Sequence, residues 1–285
     1  MPEPLGGEDR FRSTLPPGQC PLHRREDNPY SRMKRLSQTH PKAVMDILNK
    51  FFREVFEQSE TQQAPPTGFK SASHEQLDEH LKKSKYGDFQ LTDAVRPSLD
   101  VRIRPTQGYR HDVYVDEQSG AKVPVIMAAA SRENLFQVFM QLVQRLGQTV
   151  DVVLETSHDH DVKGHVDLYR EQIDLPVLTS TLWEYENLLT NDGCTGIAVL
   201  NPRTPQEVQL DEHKLLIMYG SPLELFEHTL EQNGIFCDEE IRFLTEAEHV
   251  HSTSDAHVRH FGQLQMELGL DGERQSGEEP YESGY

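Results

Sequence analysis

Val123-Pro-Val-Ile-Met-Ala-Ala-Ala-Ser-Arg-Glu-Asn-Leu-Phe-Gln-Val-Phe-Met-Gln-Leu-Val-Gln-Arg-Leu-Gly147 is the most apolar stretch of this chain, and its reading decides the fold. It opens with a continuous apolar run, Val125 to Ala130, of the kind found in strands covered on both faces. Ser131 interrupts the run. Its hydroxyl can accept a hydrogen bond from a backbone N–H left unpaired in a first helical turn, which makes it a candidate N-cap. Glu133 adds negative charge at the positive end of the helix dipole. Leu135, Phe136, Phe139, Leu142, Val143 and Leu146 then follow helical spacing and form one apolar stripe. Gly147 is a natural stop, because glycine enters the left-handed C-cap conformation without strain. A buried strand running into an amphipathic helix is therefore predicted.

Working outward, a similar unit recurs from Lys214 to Gly234. Lys214 to Tyr219 reads as a strand. Ser221-Pro222-Leu223-Glu224 reads as a capping box with proline at the first helical position, and Gly234 as the stop. Before each unit the pattern predicts two more strands: Leu99 to Arg104 and His111 to Asp116 in the first half, Thr195 to Leu200 and Glu207 to Leu210 in the second. The order strand, strand, strand, helix thus occurs twice, as a weak internal repeat. Between the halves, Thr149 to Thr156 is a predicted strand, Val166 to Ile173 a helix, and Pro176 to Leu189 a second helix. These elements define an α+β fold, a mostly antiparallel sheet with helices packed on one face.

Domain organisation follows from composition. Residues 1–38 are expected to be disordered, being rich in Pro, Gly, Arg and acidic residues. Residues 39–57 form an amphipathic helix, and 58–96 a polar linker with a short helix from His74 to Lys85. The core domain spans 97–236. Two C-terminal helices, Glu239 to Glu248 and Asp255 to Leu268, fill 237–270, and 271–285 is a disordered acidic tail.

Composition excludes several function classes. The 285 residues carry a formal net charge of -19, which repels nucleic acid and anionic membrane surfaces. No apolar run approaches the roughly 20 residues that cross a bilayer. The N-terminus lacks the apolar segment of a secretory signal. The three cysteines, Cys20, Cys194 and Cys237, are widely spaced and suggest neither a disulfide framework nor a cysteine zinc motif. A cytoplasmic location is the expectation, with no nucleic-acid or membrane partner. Cys194 is read as a buried structural cysteine.

Two features carry chemistry or recognition. In the helix from Pro41 to Phe56, Val44, Ile47, Leu48, Phe51, Phe52 and Val55 form a wide apolar face. That face must be covered, either by the chain's own core or, as a docking helix, by a protein partner or a second copy. The loop Ser157 to His165 holds His158, His160 and His165 with Asp159 and Asp161, donors suited to zinc or another divalent ion. Its order differs from the His-x-His-x-Asp-His loop of metallo-β-lactamase-fold hydrolases, because Asp161 directly follows His160 and the next histidine is four residues on. A second group, His249, His251, His257 and His260, joins this loop only if the C-terminal helices fold back over Ser157. There is no glycine-rich phosphate loop and no Gly-x-Ser-x-Gly elbow. The leading expectation is a non-catalytic protein-interaction or regulatory protein without cofactor. The alternative is a metal-dependent, hydrolase-like enzyme using the loop at 157–165.

Overall fold

Val123 to Gly147 forms the strand and the helix that its pattern predicts, although the Ser131 hydroxyl makes no capping bond to the helix and accepts instead from the Gln90 N–H at 3.0 Å. In the computed structural model, which describes residues 73–115, 122–158 and 166–270, it forms strand β5 (Lys122–Ala129) and helix α2 (Arg132–Val143). Before it come α1 (His74–Leu81), β1 (Lys85–Tyr86), β2 (Phe89–Gln90), β3 (Val95–Pro97) and β4 (Gly108–Val115). After it come β6 (Thr149–Thr156), β7 (Val166–Asp174), α3 (Leu175–Glu184), α4 (Glu186–Asn191), β8 (Thr195–Leu200), β9 (Gln206–Leu210), β10 (Leu216–Gly220) and α5 (Glu224–Gln232). A 3-10 turn at Leu244–Glu246, β11 (His249–His251) and α6 (Asp255–Leu268) complete the described chain. The helix from Pro41 to Phe56, with Val44, Ile47, Leu48, Phe51, Phe52 and Val55, lies outside the described residues, as do the two chain ends.

Seven strands form one antiparallel sheet in the order β4-β5-β10-β9-β8-β6-β7. Within it β5 pairs with β10, with Ile217 opposite Met127 and Met218 opposite Ile126. A strand-strand-helix unit therefore occurs twice, as β4-β5-α2 and β9-β10-α5, although the third strand expected in the first half does not form.

Because side chains alternate across a strand, each strand serves two cores. Ile126, Leu154, Ile197, Val199, Leu210 and Met218 point into a layer filled by α2 to α6, including Phe139, Leu182, Phe226 and Leu264. Val125, Val153, Leu200, Ile217 and Tyr219 point the other way, against Tyr86, Phe89, Leu91, Phe243 and Leu244 from the short hairpin and the 3-10 turn. Cover on both faces explains why the strands read as continuous apolar runs. The second layer also holds polar groups. Gln209 donates to Glu155 at 3.5 Å, and neither carboxylate oxygen of Glu207 has a hydrogen-bond partner among the described residues. Burial pushes both carboxyl groups well above the usual carboxylate range, with the charge of Asp167 adding to the effect at Glu155.

Four local expectations are corrected. Leu99 to Arg104 is a turn: Asp100 accepts from Ser98 at 2.7 Å and from Arg102 at 2.6 Å, and these local bonds replace strand pairing. Val166 to Ile173 is strand β7, because the edge of β6 offers backbone partners along its length. Helix α5 starts at Glu224 and not at a Ser221 cap; the Pro222 carbonyl accepts from Gln206 at 2.8 Å and holds that segment outside the helix. Glu239 to Glu248 yields only the 3-10 turn, since the Glu246 carboxylate turns back to Arg110, Arg242 and the Phe243 N–H.

His111 fastens β4 to α5 and to the segment beyond it. Its Nδ1 lies 2.7 Å from Glu239 and its Nε2 2.6 Å from Glu227 on α5. The bond to Glu227 is the largest cause holding its pKa up at about 8, against the effect of burial. The folded value exceeds the unfolded one of about 6.5, so this stabilisation is full below about pH 6.5 and is lost as pH rises through about 8. The stability gap between the native protein and a His111→Gln variant is expected to shrink by about 1 kcal/mol from about pH 6 to about pH 9, after discounting for the partly exposed carboxylates. Denaturant melts across that range measure it, and a gap that does not change with pH contradicts the assignment.

Candidate metal centre

Three histidines meet where the β9–β10 turn faces β11. The turn is built by Asp211, whose backbone N–H donates to the Leu215 carbonyl at 3.1 Å and whose Oδ1 accepts from the Leu215 N–H at 2.7 Å. The other oxygen, Oδ2, is 2.9 Å from Nδ1 of His213 and fixes that ring. β11 pairs antiparallel with β3, His249 opposite Pro97 and His251 opposite Val95. His249 and His251, two apart on a strand, therefore share a face. Their Nδ1 atoms lie 2.8 Å from the Ala247 carbonyl and 2.5 Å from the Gly193 carbonyl.

The three ring centroids are 4.7 to 5.0 Å apart, and one ligand nitrogen from each ring falls within 4.8 Å of the others. A carbonyl oxygen only accepts, so Nδ1 carries the hydrogen in His249 and His251, and Nε2 carries the lone pair. Imidazole ligands of metals show this arrangement, the second nitrogen being held by a carbonyl or carboxylate. Burial, and then the charge of His213, depress His249 and His251 to about 4. Both rings are thus neutral at pH 7, the form that binds a metal. At His213 burial opposes the charge, but Asp211 outweighs it and raises the value.

Two further groups border the centre. Glu212 Oε1 lies 3.9 Å from His213 Nε2, while its Oε2 accepts from the Ser157 hydroxyl at 3.2 Å. Lys214 is buried, donates to the Thr195 carbonyl at 2.7 Å, and is held down at about 8 by burial. Three nitrogen donors with an oriented carboxylate at the edge match the ligand pattern of zinc sites that keep a fourth position for water.

Of the loop expected to bind metal, His160 and His165 lie outside the described residues. His158 is described but is not part of the three-histidine centre. Its Nδ1 is 2.7 Å from the Thr156 hydroxyl and its Nε2 2.8 Å from Asp192. Of the second sequence group, His249 and His251 join the centre, His257 turns towards Asp192 at 3.6 Å, and His260 is exposed and belongs to neither. The C-terminal helix does fold back over the Ser157 region, with Phe261 of α6 edge-on to His158 at 5.3 Å between ring centroids. His213 escapes a reading of the sequence, because Asp211-Glu212 reads only as a tight turn. The signal that the sequence does carry is the alternation His-x-His, which marks a strand presenting both rings on one side.

No family model matches the chain, and no curated protein or solved structure shows detectable similarity to it.

Gly193 ties this region together. Its N–H donates to Ser252 at 2.8 Å, its carbonyl receives His251, and a Cβ there would lie 2.4 Å from the Ala94 carbonyl oxygen. Gly193→Ala is expected to destabilise the fold by about 1–3 kcal/mol through overpacking and to displace the His251 ring. Thermal melts and the imidazole NMR resonances report the two effects. An unchanged spectrum sinks the proposed linkage.

Proposed function

We propose that this chain is a divalent-metal-dependent enzyme of the water-activating, hydrolase-like kind, with the metal held by His213, His249 and His251. The observation that carries the reading is the accounting of Nδ1. Each of the three is held by an acceptor, Asp211, Ala247 or Gly193, while the rings converge. A chance surface cluster has no reason to orient all three rings in this way. The bound metal would lower the pKa of a water in its fourth position. Glu212, turned by Ser157, is the group placed to accept a proton from that water, as a general base must be. Lys214 adds a buried cation whose proton is loosely held.

This reading relocates the metal from the loop at 157–165 to the β9–β10 turn and β11. The interaction reading rests on the Pro41 to Phe56 helix, which lies outside the described residues, and it gains no support from the rest of the fold. No helix among the described residues is long and apolar enough to cross a membrane.

Elemental analysis of the full-length protein after zinc loading and dialysis tests the proposal. Relative to the native protein, His249→Ala/His251→Ala should lose one equivalent of zinc. Glu212→Gln should keep its metal and lose about 10²–10⁴-fold in hydrolysis of an activated p-nitrophenyl ester. Equal zinc content in the native and double-variant proteins would falsify the assignment of the ligands. Unaltered turnover in Glu212→Gln removes its role as base.

A further inference from the structure

We infer that the second layer of the sheet holds a subsite for an organic cation, an ammonium or guanidinium group, anchored by Glu155 with Glu207 behind it. As a substrate subsite it rests on the three-histidine reading; as a cation site it does not. Glu155 on β6 and Gln209 and Glu207 on β9 share the second face of the sheet, over the small residues Gly196 and Ala198 of β8. All three are at most 3% exposed. Their polar atoms are nearly all acceptors. Among the described residues neither oxygen of Glu207 nor Oε1 of Gln209 has a hydrogen-bond partner, and the amide of Gln209 reaches Glu155 only at 3.5 Å. Burial, and then the negative charges of Asp167, Glu207, Glu212 and Asp211, raise the pKa of Glu155.

Folded proteins leave few buried acceptors without donors, and departures from that rule collect at functional sites. A group that brings several N–H donors and a positive charge supplies what this row lacks. A small metal ion does not, because among the described residues these carboxyls form no group whose ligand atoms all lie within 4.8 Å of one another. The neighbouring side chains suit an organic cation as well. Tyr219 stands opposite Glu207, and Tyr169 of β7 packs on the same layer; aromatic rings attract cations. The row borders the candidate metal centre. A Cβ on Gly196 would lie 2.9 Å from Glu155 Oε2 and 3.6 Å from the Glu212 backbone nitrogen, so the Glu155 carboxyl fills the space of a missing side chain beside the β9–β10 turn. Asp167, opposite Glu155 on β7, and Tyr169 are half-buried and form the rim towards solvent.

Calorimetric titration of the full-length, metal-free protein with n-butylammonium chloride tests the subsite, with 1-butanol as the neutral control. The cation should bind saturably and the alcohol should not. Binding fixes the ionised carboxylate, so a proton is released and the measured enthalpy varies with the ionisation enthalpy of the buffer. The other titratable groups that act on this carboxyl are Asp167, Glu207, Asp211, Glu212 and Tyr219. Glu155→Gln, which keeps the shape of the neutral acid, should weaken binding at least about tenfold and abolish the proton release. No saturable binding, equal binding of 1-butanol, an enthalpy that does not depend on the buffer, or an unshifted affinity in Glu155→Gln overturns the inference. If Glu155→Gln does not fold by circular dichroism, Glu207→Gln carries the test with the same expected weakening. The titrated protein holds no zinc, so this result and the zinc content of His249→Ala/His251→Ala succeed or fail independently.

Discussion

The pairing of β5 with β10 is the contact on which the rest of the structure depends. Each strand belongs to its own hairpin, β4-β5 or β9-β10, and each hairpin ends in a helix. Joining them places α2 and α5 side by side, where Asn233 just beyond α5 donates to Gln141 at 2.7 Å. It also makes a sheet wide enough that neither face can stay wet. One face is sealed by five helices. The other is sealed by short, irregular pieces whose main role is to supply Tyr86, Phe89, Phe243 and Leu244 to the apolar layer.

Those irregular pieces bring the histidines together. β11 has no place in the main sheet; among the described residues it pairs only with β3, and that pair is held against the start of β8 by the bonds of Gly193 to Ser252 and of Ser252 to Ala94. Backbone hydrogen bonding therefore decides where His249 and His251 sit, and a single aspartate decides where His213 points. Side chains fixed by backbone contacts of this kind lose little freedom on taking up a ligand.

Much of the sheet is legible in the sequence. Thr149 to Thr156, Thr195 to Leu200 and Asp255 to Leu268 form as elements over the ranges their patterns suggest, because in each the local period and the tertiary role agree. Val166 to Asp174 is not legible. Its composition suits a helix, and only the unpaired edge of β6, made by residues before it, turns it into a strand. The candidate metal centre is half legible for a similar reason. His249 and His251 announce themselves by spacing. His213, some 36 residues earlier in a two-acid turn, acquires meaning only when β9 and β10 fold on themselves. The fold-back of α6 over Ser157 depends on the burial of Phe261, Leu264 and Leu268 in the helical layer.

Glu155 and Glu207 have a consequence for how this protein exchanges protons with its surroundings. Both are ionised in the extended chain near neutrality, and both enter a layer that favours the neutral acid. Between the ordinary carboxylate range and their raised folded values, folding therefore takes up protons at these two positions. An alkaline shift works against the native state at these two positions even though nothing at the surface has changed. The interior of the sheet thus behaves as a small acid reservoir, filled when the chain folds and emptied when it opens.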